Sequence, residues 1–172
     1  VVCYVEFNEY CQKIIRQRIK DGVFDDAPIF GDVRDFNGAL WRGRVDLITA
    51  GFPCQPFSVA GKKLGADDPK NMWPDTARII CEVRARLVFL ENSPQLAFSG
   101  YLGTVLGDLA ACGYDAEWST LSAAQCGAPH GRDRIWILAT LPDTSCLGGA
   151  AMRGQRANFE VQSDGRVHHS GR

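Results

Sequence analysis

Histidine is scarce in this 172-residue chain, which holds only His130, His168 and His169. A cysteine hydrolase needs an imidazole beside its thiol, so that chemistry has little to draw on. The seven cysteines are odd in number and scattered, and no C-x-x-C pair occurs among them. Neither a disulfide framework nor a zinc site is therefore signalled. An excess of either charge is lacking too, with 19 basic against 20 acidic side chains and a formal net charge of −1. No global field draws the chain toward nucleic acid, and any polyanion has to be met locally. No apolar run approaches the ~20 residues that span a bilayer, and the N-terminus has none of the basic-then-apolar layout of a secretory signal. A soluble protein of the reducing cytoplasm, with no membrane partner, is expected.

A hydrophobic content of 45% at this length supports one core. Along the chain, apolar runs rich in β-branched residues alternate with segments of helical period. Residues 1–7 predict a buried strand, after which Cys11, Ile14, Ile15 and Ile19 share one face of a helix over roughly 8–20. Residues 45–50 predict a second strand. Asn71 is placed to cap a helix running to about residue 82, with Pro74 in its first turn. A strand at 87–92, a helix over 101–112 ended by Gly113, and strands at 115–121 and 134–140 follow. Strands separated by crossover helices predict an open α/β sheet, mostly parallel, with its functional groups at the carboxyl ends of the strands. Residues 1–140 make up this domain, while 141–172, rich in Gly, Ser and Arg and without apolar period, predict a loose tail.

The stretch Gly51-Phe52-Pro53-Cys54-Gln55-Pro56-Phe57-Ser58 sets a thiol between two prolines just past a strand end. Burial is the commonest fate of a free cysteine. A Gly/Pro loop outside a strand is badly placed for burial and well placed for attack. Glu91 ends the 87–92 strand; a carboxylate there is either solvated or, delivered by the apolar run Leu87–Leu90 to the inner edge of the sheet, desolvated in favour of its protonated form. Arg132 and Arg134 are two apart and project to one face of an extended segment, as a solvated pair or as donors to a base oxygen, a carboxylate or a phosphate. A cysteine hydrolase using His130 and a non-catalytic nucleic-acid-binding relic stand beside a nucleophilic transferase as readings of these residues.

Taken in order, "GFPCQPFS" at 51–58, "ENS" at 91–93 and "GRDR" at 131–134 before an apolar strand resemble the motifs of the DNA (cytosine-5)-methyltransferases, over about residues 1–140. The resemblance implies a Rossmann-like, S-adenosylmethionine-dependent methyltransferase sheet lacking its first strand, since no F-x-G-x-G loop precedes Val1. It implies methyl transfer to carbon 5 of cytosine through a covalent Cys54 adduct at carbon 6, in restriction–modification or phage DNA protection. The expected partner is double-stranded DNA with the target cytosine flipped out, met by a monomer; a tRNA-methylating branch shares the loop chemistry. By the same resemblance Glu91, Asn92, Arg132 and Arg134 join Cys54 in catalysis. Glu6, Phe7, Asp32, Val33 and Pro53 contact the cofactor, and Gln55 and Ser58 contact the substrate. The pattern departs from the family at "DDPKNMW" (67–73), which lacks the usual Arg-Gly, and at His130-Gly131, where a glutamine and a further residue usually precede the arginines. The tail is expected to lead toward a target-recognition domain that these residues do not contain. Without that domain and the glycine loop, these 172 residues by themselves are expected to transfer no methyl group.

Overall fold

Asn8 starts the first helix because its side chain accepts the N–H groups of Tyr10 at 2.9 Å and Cys11 at 3.3 Å. Helix α1 follows over Glu9–Lys20, with Glu9 in its first turn and Arg18 and Lys20 in its last, the order the helix dipole favours. The computed structural model describes residues 1–53 and 71–142, within one compact unit, Val1–Pro142. The tail expected beyond residue 140 lies, from Asp143 onward, outside the described residues. No helix among the described residues is long and apolar enough to cross a membrane.

Strand β1 (Tyr4–Val5) pairs in parallel with β2 (Ile29–Phe30). The buried strand expected over 1–7 is corrected here to two residues, with Val1 and Val2 exposed at 66% and 50%. The reason is the short partner: the ladder ends where β2 ends, and among the described residues β1 is paired along one edge only. Two apolar residues behind Pro28 are too few to show a period, so β2 itself was illegible in the sequence.

The second sheet holds β3 (Leu47–Gly51), β4 (Leu87–Asn92), β5 (Asp115–Ser122) and β6 (Asp133–Thr140) in the order β3-β4-β6-β5. Strands β3 and β4 are parallel, and β6 runs antiparallel to both of its neighbours. Three strands thus share one direction and the sheet is mixed. Its reversed strand has a simple cause, because the segment joining β5 to β6 carries only a single 3-10 turn, Ala124–Cys126, and no crossover helix.

One face of this sheet is packed. Helices α2 (Trp73–Val83), α3 (Gln95–Phe98) and α4 (Tyr101–Ala111) contribute Trp73, Ile80, Leu96, Val105 and Leu109 to a cluster with Val88, Leu90, Ile135, Ile137 and Ala139 of β4 and β6. The other face leaves Leu47, Phe89 and Leu138 partly exposed. The expected cap of α2 shifts by one residue: Met72 is the N-cap, while Asn71 Oδ1 accepts the Trp73 N–H at 3.2 Å. Pro74 falls in the first turn, where its missing N–H costs nothing. Gly113, at φ +88°, follows the C-cap Cys112 and ends α4 as expected. The cysteines do not all stay single: Cys81 of α2 is bonded to Cys112, with their Cα atoms 5.5 Å apart and a sequence separation of 31. The expectation that no disulfide is signalled is corrected at this pair, because linear spacing does not announce what helix packing creates.

Tyr114, ahead of β5, donates its hydroxyl to the Ala85 carbonyl at 2.7 Å, and both residues are buried. Burial pushes the phenol pKa up, opposed by the nearby Arg84 charge. Tyr114→Phe leaves that carbonyl unpaired, and urea unfolding is expected to show a loss of about 1–3 kcal/mol with an unchanged m-value.

Candidate active site

The parallel register sets Gly51 beside Glu91 at the carboxyl ends of β3 and β4. A Cβ on residue 51 would stand 3.3 Å from Glu91 Oε2, so glycine leaves the carboxylate its space. Phe52 is buried, Pro53 is exposed, and Cys54 follows in the chain. Cys54, Gln55 and Ser58 lie outside the described residues. The described backbone therefore stops one residue short of the thiol, at the strand end adjoining Glu91.

Alternation along β4 sends Asn92 to the face opposite Glu91, where it is 3% exposed. Its Nδ2 donates to the Phe52 carbonyl at 3.0 Å and its Oδ1 accepts the Ser93 N–H at 2.8 Å. Both partners are backbone groups, so Asn92 ties the root of the Cys54 segment to β4. It does not share a face with Glu91. The Phe52 ring also lies 5.0 Å from that of Trp73, whose Nε1 donates to Asp108 Oδ2 at 2.7 Å. Trp73 and Asp108 were not foreseen. The first is readable only as an aromatic at a helix start, and the second is brought in from α4 by packing.

Glu91 meets Arg134 from the neighbouring β6, with Nε to Oε1 at 2.6 Å. The desolvation expected for this carboxyl is corrected: its side chain is 37% exposed and receives a guanidinium. The apolar run before it shields the opposite face of the strand, which Glu91 does not point into. Arg134 also donates Nη1 to the Asp133 carbonyl at 2.7 Å, which orients the fork. The expected alignment of Arg132 with Arg134 is corrected as well. Strand β6 begins at Asp133, and Arg132 before it has φ +98°, so the extended geometry that would align the two stops between them. Arg132 is exposed, its carbonyl accepts the Ala123 N–H at 3.3 Å, and its side chain has no hydrogen bond or ion pair among the described residues.

Two acids follow the ends of β1 and β2, which are parallel neighbours. Glu6 is half-buried and its Oε1 accepts the Asn8 N–H at 2.8 Å, while Phe7 beside it is 71% exposed. Asp32 accepts the Arg34 backbone N–H at 2.9 Å and its Nε at 2.9 Å. Those bonds, side chain first, hold the Asp32 carboxyl below the usual carboxylate range. Val33 packs against the cluster of Phe36, Ile79, Val83 and Ala85. Two carboxylates at adjacent carboxyl ends suit paired hydroxyl and amino donors, the arrangement nucleotide-binding sheets use.

A family model of C-5 cytosine-specific DNA methylases matches residues 1–167. The chain is 37% identical over 143 residues to the Type II methyltransferase M.CviJI of Paramecium bursaria Chlorella virus IL3A, covering 83% of this chain and 38% of that protein. It is 38% identical over 114 residues to the Type II methyltransferase M.NgoMIV of Neisseria gonorrhoeae, covering 64% of this chain and 36% of the relative. The chain thus spans well under half the length of these curated relatives. In fold it is similar to a mutant DNMT2 of Spodoptera frugiperda, with a TM-score of 0.67 and 20% identity over 99% of this chain and 50% of the other. A DNA modification methyltransferase encoded within a prophage of E. coli gives a TM-score of 0.62 at 23% identity, over 82% and 40% of the two chains. These two likenesses show the fold, a Rossmann-like α/β sheet.

Arg34→Gln is expected to raise the Asp32 carboxyl pKa toward its ordinary value, read by carbon-detected NMR titration. Because the folded value is depressed, the pair's contribution is present above the unfolded pKa of about 3.9 and is lost as pH falls through the lower folded value. At neutral pH the Asp32 charge is expected to be the same with or without Arg34.

Proposed function

Since the chain belongs to the C-5 cytosine-specific DNA methylase family, we propose that the protein transfers a methyl group from S-adenosylmethionine to carbon 5 of cytosine in double-stranded DNA. The observation that carries this reading is the Glu91 carboxylate, held by Arg134 on the strand end beside the root of the Cys54 segment. The names of the relatives, Type II methyltransferases, support a role in restriction–modification. The base acted on is flipped out, because a cytosine inside the duplex cannot be reached by a thiol.

The residues present fit the cofactor's nucleoside. Glu6 and Asp32 end adjacent parallel strands, with the exposed Phe7 ring beside the first and Val33 beside the second. In this reading the carboxylates accept from ribose hydroxyls and the adenine amine, Phe7 offers a ring to the adenine, and Pro53 borders the site from the end of β3. S-adenosylmethionine, when bound, supplies an electrophilic methyl group on its sulfonium.

Carbon 5 of cytosine is too weak a nucleophile to take that methyl group unaided. Addition of the Cys54 thiolate to carbon 6 turns the ring into an enamine with a nucleophilic carbon 5. Negative charge moves toward N3 as the thiolate adds, and a proton shared between N3 and the Glu91 carboxyl, which also accepts from the exocyclic amine, stabilises that charge. Arg134 holds that carboxylate in place, so the base finds an oriented partner. Arg132, with its side chain exposed at the head of β6, is the guanidinium left to receive the base O2 or a phosphate. Gln55 and Ser58 accompany Cys54 as substrate contacts. Once carbon 5 is methylated, its proton passes to water, the carbon 6–sulfur bond breaks with its electron pair leaving on the Cys54 thiolate, and the aromatic ring is restored.

With DNA carrying 5-fluorocytosine, which has no removable proton at carbon 5, the intact protein is expected to stop as a covalent adduct on Cys54. Peptide mapping checks this, and an adduct on another cysteine would contradict the assignment. Glu91→Gln keeps shape and one donor but removes the shareable proton. Turnover in a tritiated-methyl assay is expected to fall about 10²-fold or more, with cofactor affinity by calorimetry nearly unchanged.

A further inference from the structure

The segment from Asp32 to Gly38 carries an acid of the proposed cofactor site, and although the Arg34 N–H and guanidinium hold the Asp32 carboxylate from within it at 2.9 Å, the backbone beneath makes few bonds of its own. Its own backbone bonds are Asp35 N–H to the Asp32 carbonyl at 3.2 Å and Phe36 N–H to the Val33 carbonyl at 3.4 Å, long for this class. The shape is supplied from α2, more than forty residues on. The Arg78 guanidinium donates Nη2 to the Val33 carbonyl at 2.9 Å and to the Arg34 carbonyl at 3.3 Å, and Nη1 to the Phe36 carbonyl at 3.0 Å. These are charge-assisted bonds, stronger than the turn's own. Glu82, one helical turn along α2, receives Arg78 Nη1 at 3.1 Å and the Gly38 N–H at 2.8 Å, so it anchors the guanidinium and the far end of the segment together. The approach is close enough that a Cβ on Gly38 would lie 2.9 Å from Glu82 Oε2 and 3.1 Å from Val83 Cγ2. Phe36 plugs the segment into the apolar cluster of Ile79, Val83 and Ala85.

We propose that Arg78 is a positioning residue for cofactor binding: by gripping the Val33, Arg34 and Phe36 carbonyl groups of the turn that carries Asp32, it presents the Asp32 carboxylate to the adenosyl group. The inference rests on reading Glu6 and Asp32 as cofactor acids. A lysine cannot replace the arginine, because an ammonium is a point donor and the three carbonyls are met by a planar fork with nitrogens on two sides.

A double-mutant cycle of Arg78→Lys and Asp32→Asn in the intact protein tests this, with S-adenosylmethionine affinity read by calorimetry and turnover read separately. Arg78→Lys is expected to weaken cofactor binding about tenfold, the worth of one charge-assisted hydrogen bond. Turnover at saturating cofactor and the KM for DNA are expected to stay within about twofold, and in the Asp32→Asn background the affinity loss is expected to shrink to about twofold or less. If Asp32→Asn alone leaves cofactor affinity intact, the cofactor reading of Asp32 fails and the inference falls with it. If Asp32→Asn weakens binding, but Arg78→Lys either changes nothing or adds its full loss on top, the reading stands and the positioning role is overturned. Thermal unfolding accompanies each variant. Should Arg78→Lys not fold, Glu82→Gln, which weakens the anchor of Arg78, passes through the same cycle under the same criteria.

Discussion

The register of β4 is the constraint on which the rest depends. A strand alternates its side chains, so shielding Val88, Leu90 and Asn92 commits Leu87, Phe89 and Glu91 to the opposite face. A slip of one residue would turn Glu91 into the packed cluster and Asn92 out of it, separating the carboxylate from Arg134 and the amide from the Phe52 carbonyl at once. The neighbouring strands finish the arrangement. Strand β3 brings Gly51, with no side chain to crowd the carboxylate, and β6 brings a guanidinium from the other side. The apolar packing of one face is therefore what aims the chemistry of the other.

Helix α2 gives the two halves of the site a common frame. Its buried Thr76, Ile79, Ile80 and Val83 recur at helical spacing and reach both apolar clusters. Trp73, at its start, lies under Phe52 where the chain leaves for Cys54; Arg78, about 7.5 Å further along the axis, holds the turn that carries Asp32. Asp108 fixes the tryptophan and Glu82 fixes the arginine. The root of the Cys54 segment and the turn that carries Asp32 thereby refer to one helix rather than to each other.

The charges work locally, as a near-neutral chain requires. Glu91 with Arg134, Asp32 with Arg34, and Arg78 with Glu82 and Asp75 are short-range pairs on partly exposed side chains. Pairs of that kind contribute about 0–1 kcal/mol each to folding, so their consequence is orientation rather than stability. Each one holds a carboxylate, or the backbone beneath a carboxylate, at the end of a strand.

Much of the architecture was legible from local pattern. The strand at 87–92 coincides with the observed β4, the helix expected over 8–20 begins one residue late, and the last two strands end or begin within one residue of the expected limits. The carboxyl-end placement of Glu91 was legible too, while the strand expected over 45–50 runs over Leu47–Gly51, since apolar runs and their periods are properties of neighbouring residues. What local pattern could not convey was anything that depends on a partner far along the chain. The shortness and exposure of β1 follow from β2, the reversal of β6 follows from its connection, and the Cys81–Cys112 bond follows from helix packing. Glu91 reads as a desolvated acid when only Leu87–Leu90 are considered, and as a guanidinium-paired acid once β6 lies beside it. Arg132 and Arg134 read as an aligned pair until a positive φ places one of them outside the strand. The amino-acid sequence by itself determined the elements, the order of the chemical groups and the strand ends that carry them. Only the tertiary structure decided which charges face one another, because pairing and burial are set by the neighbour across the sheet and not by the neighbour along the chain.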